Sequence, residues 1–218
     1  MAIRPRTPAH APLPMGNQVF KRSFREQVFT LLRSAYDQLD APSFQGAEET
    51  AITGELCEAV RGIIESDTAP SWAWRFSVHD DPPVERAGKS GRSRPRLDII
   101  LERSQKGAHP RYCFESKRLC KGKYAEAWYL GEEGLGAFLM GTYAADQDEA
   151  GMIAYVQSDT TAHWEGRVSA ALAKQPDRHA VVDGKWEAVV SPAGTYCSRH
   201  LRRNRSTIDV YHLFLGFC

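Results

Sequence analysis

The stretch "DIILERSQKGAHPRYCFESK" brings two carboxylates and an ammonium within twenty positions of each other: Asp98, Glu115 and Lys117. Side chains alternate along a strand, so Glu115 and Lys117 share a face with Cys113, while Tyr112, Phe114 and Ser116 oppose them. Asp98 opens a neighbouring apolar run, on a face with Ile100 and Glu102. A carboxylate in such surroundings is costly unless it is paired or coordinates a metal. Two kinds of chemistry fit. The charges form a plain salt-bridge stripe, in which each exposed pair is worth about 0–1 kcal/mol. Alternatively they serve phosphodiester hydrolysis, where a divalent cation neutralises developing charge and lowers the pKa of its bound water. A Mg²⁺ site needs one or two carboxylates on regular structure, with several waters, and a lysine beside it orients water or stabilises charge.

The segment "AEETAITGELCEAVRGIIESD" adds a further acid. Its apolar stripe of Ile52, Leu56, Val60, Ile63 and Ile64 has helical spacing. At about 100° per residue the stripe is centred near the projection of Glu49, and Glu48 falls about a quarter-turn away. Glu49 is therefore expected to point towards the sheet. A glutamate in the first turn also suits the helix dipole, which explains either residue without any chemistry.

The elements that must hold these residues follow from periodicity. Phe20, Phe24, Val28, Leu31, Leu32, Ala35 and Leu39 predict a first amphipathic helix, broken by "DAPSFQG". "SWAWRFSV" alternates and predicts a half-buried strand with Trp72 and Trp74 in the core. "LDIILE" and "RYCFESKRL" predict an antiparallel pair joined by a polar loop. "YAEAWYLGEEGLGAFLMGTYA" reads as mostly helical, "GMIAYVQS" as a central strand, and "DTTAHWEGRVSAALAK" as a capped helix. A strand over 180–190, a turn at "SPAG" and a last strand "TIDVYHLFLGF" complete the chain. The expected fold is α/β: a single domain with a central mixed sheet flanked by helices, over 17–218. Residues 1–16, rich in proline, are expected to form a flexible tail.

In this order the residues resemble the PD-(D/E)xK nucleases, the restriction-endonuclease-like superfamily: a helix glutamate, "LD" on one strand, and "E-S-K" on the next. The resemblance spans roughly 49–158, and Leu97 stands where the motif has proline. It implies a restriction-endonuclease-like core that binds Mg²⁺, or Mn²⁺, and hydrolyses phosphodiester bonds. Carried over by position, Asp98 matches the motif aspartate, Glu115 the second acid, Lys117 the motif lysine and Glu49 the helix glutamate. Asp98, Glu115 and Glu49 then become the metal-binding acids. The resemblance also implies a nucleic-acid partner, with DNA favoured over RNA, and a role in microbial defence or DNA repair. A partner protein would supply recognition or ATPase activity, and double-strand cutting would call for two sites, as in a homodimer. The alternative is a catalytically inactive nucleic-acid-binding or scaffolding subunit with the same fold.

The remaining features bound the answer. The chain has 218 residues and a formal net charge of +1, so affinity for nucleic acid must come from where charges lie. "ERAGKSGRSRPR" offers Lys89, Arg92, Arg94 and Arg96 to phosphates, and "SRHLRRNR" offers Arg202 and Arg203. Five cysteines without framework spacing argue for a reducing compartment, and the N-terminus lacks a secretory h-region, so a cytoplasmic setting is expected. No long apolar run spans a membrane. His212 alternates with Val210 and Phe214 and reads as a hydrogen-bonded core histidine, and no zinc-type spacing surrounds Cys197 and His200. The glycine-rich stretch contains no phosphate-binding fingerprint, so no ATPase is expected in the chain itself.

Overall fold

A computed structural model describes residues 15–84, 94–105, 109–190 and 194–218. Two helices lead: α1 (Met15–Tyr36) and α2 (Glu49–Glu65), separated by a 3-10 turn at Ala41–Phe44. Then come β1 (Phe76–Asp80), β2 (Ile99–Arg103) and β3 (Arg111–Leu119), followed by short helices α3 (Glu126–Tyr129) and α4 (Leu135–Leu139). Strand β4 (Glu149–Val156), helix α5 (Thr161–Lys174), and strands β5 (Val181–Val189), β6 (Thr195–Leu201) and β7 (Thr207–Gly216) finish the order.

The strands form one seven-stranded mixed sheet in the order β1-β2-β3-β4-β7-β6-β5. Strands β3, β4 and β7 run parallel at its centre, and antiparallel pairs flank them. Helices cover both faces. Val28, Phe29 and Leu32 of α1 and Ile52, Leu56 and Val60 of α2 pack on Ile99, Phe114, Ile153 and Leu213. On the other face Tyr129, Phe138, Trp164 and Val168 pack on Cys113, Met152, Ala154 and Phe214. Strand β4 is buried on both faces, as its continuous apolar run requires. Helix α5 starts where its cap was expected, with the Thr160 hydroxyl accepting from the His163 amide.

Three expectations are corrected. The tryptophans of "SWAWRFSV" precede β1: a 3-10 turn over Ala73–Arg75 leaves Trp74 68% exposed, although Trp72 still packs against the core. A three-residue turn imitates strand alternation over so short a stretch. The glycine-rich segment forms two short helices instead of one long one. A Cβ on Gly134 would stand 2.2 Å from the Tyr129 carbonyl oxygen, so the chain folds back on itself there. The basic cluster expected before the last strand, residues 198–205, begins inside a further strand, β6 (Thr195–Leu201). The tail expected over 1–16 and the turn at "SPAG" fall largely outside the described residues, and α1 begins at Met15.

One close contact fixes the strand that carries the chemistry. Gly151 of β4 is paired in register with Phe114 of β3, and a Cβ there would lie 2.1 Å from the Phe114 ring. That ring is fully buried, edge-on to Phe29 at 5.4 Å, and has nowhere to retreat. Gly151→Ala should therefore cost at least about 1–3 kcal/mol through overpacking. Urea unfolding read by tryptophan fluorescence checks this; an unchanged midpoint would show that the Phe114 contact tolerates a methyl group.

Candidate functional site

The site lies in a notch where β2 leaves β3. The antiparallel register ends at Ile99 opposite Phe114. Beyond it the β2 chain stays with β1: Leu97 donates to the Pro82 carbonyl, and Val84 to that of Pro95. The amides of β3 past Phe114 thus lose their antiparallel neighbour, and buried amides need acceptors. Two carboxylates supply them. Asp98 accepts from the Ser116 amide at 2.6 Å, and Glu49 from the Arg118 amide at 3.0 Å.

Lys117 joins the acids. Its ammonium donates to Glu115 at 2.8 Å and to Glu49 at 3.1 Å. Glu49 is the first residue of α2, and Glu48 precedes it as the helix cap. Glu49 turns to the sheet, as the apolar stripe predicts, while Glu48 stays largely exposed and pairs with Arg118. Helix, strand end and strand centre thus bring Glu49, Asp98, Glu115 and Lys117 together.

The charges do not balance. Three carboxylates face one ammonium, which leaves two negative charges over when all are ionised. Glu115 is 5% exposed, and its second carboxylate oxygen is buried without a partner among the described residues. Burial first, then the Asp98 charge, push the Glu115 carboxyl up to about 8, against the pull of Lys117. Burial likewise pushes Asp98 up to about 6, opposed by Lys117 and the Ser116 amide. For Lys117, burial alone would lower the pKa, but Glu115 and Glu49 outweigh it and hold the ammonium charged. Among the described residues no group of three or more His, Cys, Asp and Glu is arranged to enclose a metal ion. A hard cation that keeps its waters needs fewer ligands. Asp98 and Glu115 fit that demand, since one oxygen of Glu115 has no protein donor. Both oxygens of Glu49 are already bonded, so it suits the role of orienting Lys117 better than that of a ligand.

Several neighbours escaped the sequence reading. Arg118, 8% exposed, clamps the approach to α2, donating to the Ala47 carbonyl at 2.9 Å and the Tyr124 hydroxyl at 2.8 Å. The Gln157 amide donates to the carbonyls of Phe44 and Ala47, both at 2.8 Å, and holds the same loop. Tyr143 lies within reach of the acidic pair: burial, then the charges of Glu115 and Asp98, push its phenol up to about 12. No short motif marks these residues; an arginine next to the E-S-K run was the one available signal.

The basic residues expected at phosphates divide. Lys89 and Arg92 lie outside the described residues. Arg94 is partly buried, and Arg96 is exposed but bound to the Asp81 carboxylate at 2.6 Å. Arg203 is exposed. Arg202 is a correction: it is 3% exposed and donates to the carbonyls of Phe138, Ala144 and Gln147 at 3.2, 2.6 and 2.7 Å, which leaves it no face for phosphate. Its neighbour Arg199 is paired with Asp209 through two bonds, so this cluster is no continuous basic surface.

The histidines stand apart from the notch, in a buried chain whose protons can be assigned. His200 Nδ1 lies 2.7 Å from the His179 carbonyl, which only accepts, so Nδ1 donates. His200 Nε2 then accepts from the Ser198 hydroxyl at 2.6 Å, and Ser198 accepts from His212 Nε2 at 2.7 Å. That leaves His212 Nδ1 to accept from the Tyr129 hydroxyl at 3.0 Å. Both rings are neutral here, and burial depresses both, His200 to about 4. Unfolded histidines titrate near about 6.5, so the unfolded chain binds more protons below that value and stability falls with it. The contribution is complete above about pH 6.5 and is lost as pH falls towards the folded value of about 4. Denaturant titrations between those limits should show the slope, and His200→Gln should flatten it; an equally steep slope in the variant would contradict the assignment.

Compared with known proteins, the chain matches no family model, no curated protein and no solved structure. Its reading rests on geometry. No helix among the described residues is long and apolar enough to cross a membrane.

Proposed function

We propose that the chain is a metal-dependent nuclease of the PD-(D/E)xK kind, with a restriction-endonuclease-like core. One observation carries the reading: an acid from a helix, an acid from a strand start, and an acid and a lysine from the next strand meet in one notch with an unpartnered, buried carboxylate oxygen. Asp98 and Glu115 would hold a Mg²⁺ or Mn²⁺ ion, which when bound would supply charge neutralisation at the phosphate and a more acidic water. Lys117, kept charged by its carboxylates, orients the attacking water or steadies the charge that builds on phosphate oxygens. Glu49 accepts a second bond from the lysine, and the Ser116 amide fixes Asp98. Positioning of this kind is most effective on regular structure, and each of these groups sits on or next to it.

DNA is the favoured substrate, with recognition or ATPase activity supplied by a partner, in microbial defence or DNA repair and in a cytoplasmic setting. A homodimer would provide the two sites that double-strand cutting needs. A second reading, an inactive nucleic-acid-binding or scaffolding subunit, draws support from the completeness of the Lys117 ion pairs. A cleavage panel separates them: single- and double-stranded DNA and RNA, each with Mg²⁺, Mn²⁺ or EDTA. The nuclease reading expects cleavage in metal and none in EDTA. Binding that is equal in EDTA and metal, with no cleavage on any substrate, would establish the second.

A further inference from the structure

An acidic notch repels the polyanion it is proposed to cut, so cations must stand beside it. Lys117 is consumed within the notch by Glu115 and Glu49. Directly after β3, however, comes the sequence "CKGKY", residues 120–124, which turns tightly on itself. Cys120 and Tyr124 exchange backbone hydrogen bonds at 2.8 and 2.9 Å, and Gly122 takes a φ of +75° that favours glycine. The Lys121 amide is held by the Ser158 hydroxyl at 2.8 Å, so the turn is tied to the end of β4 as well. Lys121 and Lys123 are exposed, and among the described residues neither ammonium has a carboxylate partner.

An aromatic pair adjoins these lysines. Trp128 is 57% exposed and meets Tyr124 edge-to-face, with ring centroids 6.3 Å apart. The Tyr124 ring carries the Arg118 guanidinium at 4.4 Å and the Lys123 ammonium at 5.2 Å. Its hydroxyl accepts from Arg118, whose own amide holds Glu49. The surface is thus coupled to the notch through Arg118. Exposure alone would not mark a site: Trp74 is more exposed, but its ring lies under its neighbour Arg75.

We propose that the turn 120–124 and Trp128 seat an unpaired strand of nucleic acid, with Lys121 and Lys123 on its phosphates and a base stacked on the Trp128 indole. The choice of ligand rests on the nuclease reading. The choice of single strand rests on chemistry: stacking on a side chain requires a base free of its own stack, which a duplex does not offer.

The test is fluorescence anisotropy of a labelled oligo-thymidine in EDTA, where binding is read without cleavage, with the matching duplex and a poly-glutamate peptide as competitors. Trp128→Ala should weaken binding by roughly 5- to 150-fold. Lys121→Gln with Lys123→Gln should reduce the salt slope by about 1.4. Trp74→Ala should leave the affinity unchanged, and thermal melts of all variants should match the wild type because the sites are exposed. Wild-type affinity in both the Trp128 and lysine variants would overturn the proposal, as would poly-glutamate competing on a par with the oligonucleotide. The two readings fail separately. Cleavage in Mg²⁺ with undiminished binding in the variants removes this seat and leaves the nuclease. Diminished binding in the variants with no cleavage in any metal keeps the seat and removes the nuclease.

Discussion

Glu115→Gln should abolish Mg²⁺-dependent cleavage and raise the melting temperature of the metal-free protein. The two effects share one cause. The Glu115 carboxyl, raised to about 8, sits 5% exposed beside Asp98 with one oxygen unpartnered. Its folded value exceeds its unfolded one, so the folded state binds more protons and stability falls as pH rises through about 8. An amide of the same shape keeps the acceptor for Lys117 and removes the cost of holding a buried carboxyl protonated that ionises freely in the unfolded chain. The expected gain is on the order of 1–2 kcal/mol at neutral pH. Loss of a carboxylate that holds the cation should lower the cleavage rate by roughly a thousandfold or more. Melts at neutral pH and single-turnover cleavage measure the two. A variant that melts lower than wild type and still cleaves would refute both halves.

Lys117→Met should do the opposite to stability while also removing activity. Its ammonium is the shared donor to Glu49 and Glu115, and its side chain is 14% exposed. Without it two carboxylates keep their burial and lose their cation, a defect of about 3–5 kcal/mol. The loss is largest above about pH 8, where Glu115 is ionised, and shrinks as pH falls and protonates it. Cleavage should fall by about 10²–10⁴-fold, the range for a positioned proton-handling group. Chemical denaturation across this pH range checks the stability half. A penalty that stays constant with pH would mean that Lys117 acts through packing rather than charge.

These opposing slopes also locate the two buried networks. Acid relieves the notch as pH falls through about 8 and 6, and burdens the Tyr129–His212–Ser198–His200 chain below that.

The parts of the site legible in the sequence are those set by local periodicity. Strand alternation placed Glu115 and Lys117 on one face, and the stripe from Ile52 to Ile64 turned Glu49 inward. What could not be read depends on where β2 separates from β3. The bonds from the Ser116 and Arg118 amides to Asp98 and Glu49 exist because the register stops at Phe114, a tertiary fact. Nothing local distinguishes Arg118 from any other strand charge, although it organises the entry to α2. Charge misled in the same way at β6. Arg199 is satisfied by Asp209 on the neighbouring strand, and Arg202 by carbonyls from the segment after α4, so neither needed solvent. Local composition signals a basic loop wherever such partners come from far along the chain.

The most direct measurement is isothermal titration of Mg²⁺ and Mn²⁺ into the metal-free protein at neutral pH, repeated in two buffers of different ionisation enthalpy. The account predicts about one ion bound per chain with release of protons, because the carboxyls that receive it are raised to about 8 and about 6. It predicts that Asp98→Asn removes the binding and that Glu115→Gln removes most of the proton release. No saturable binding, or binding that both variants leave intact, would contradict it.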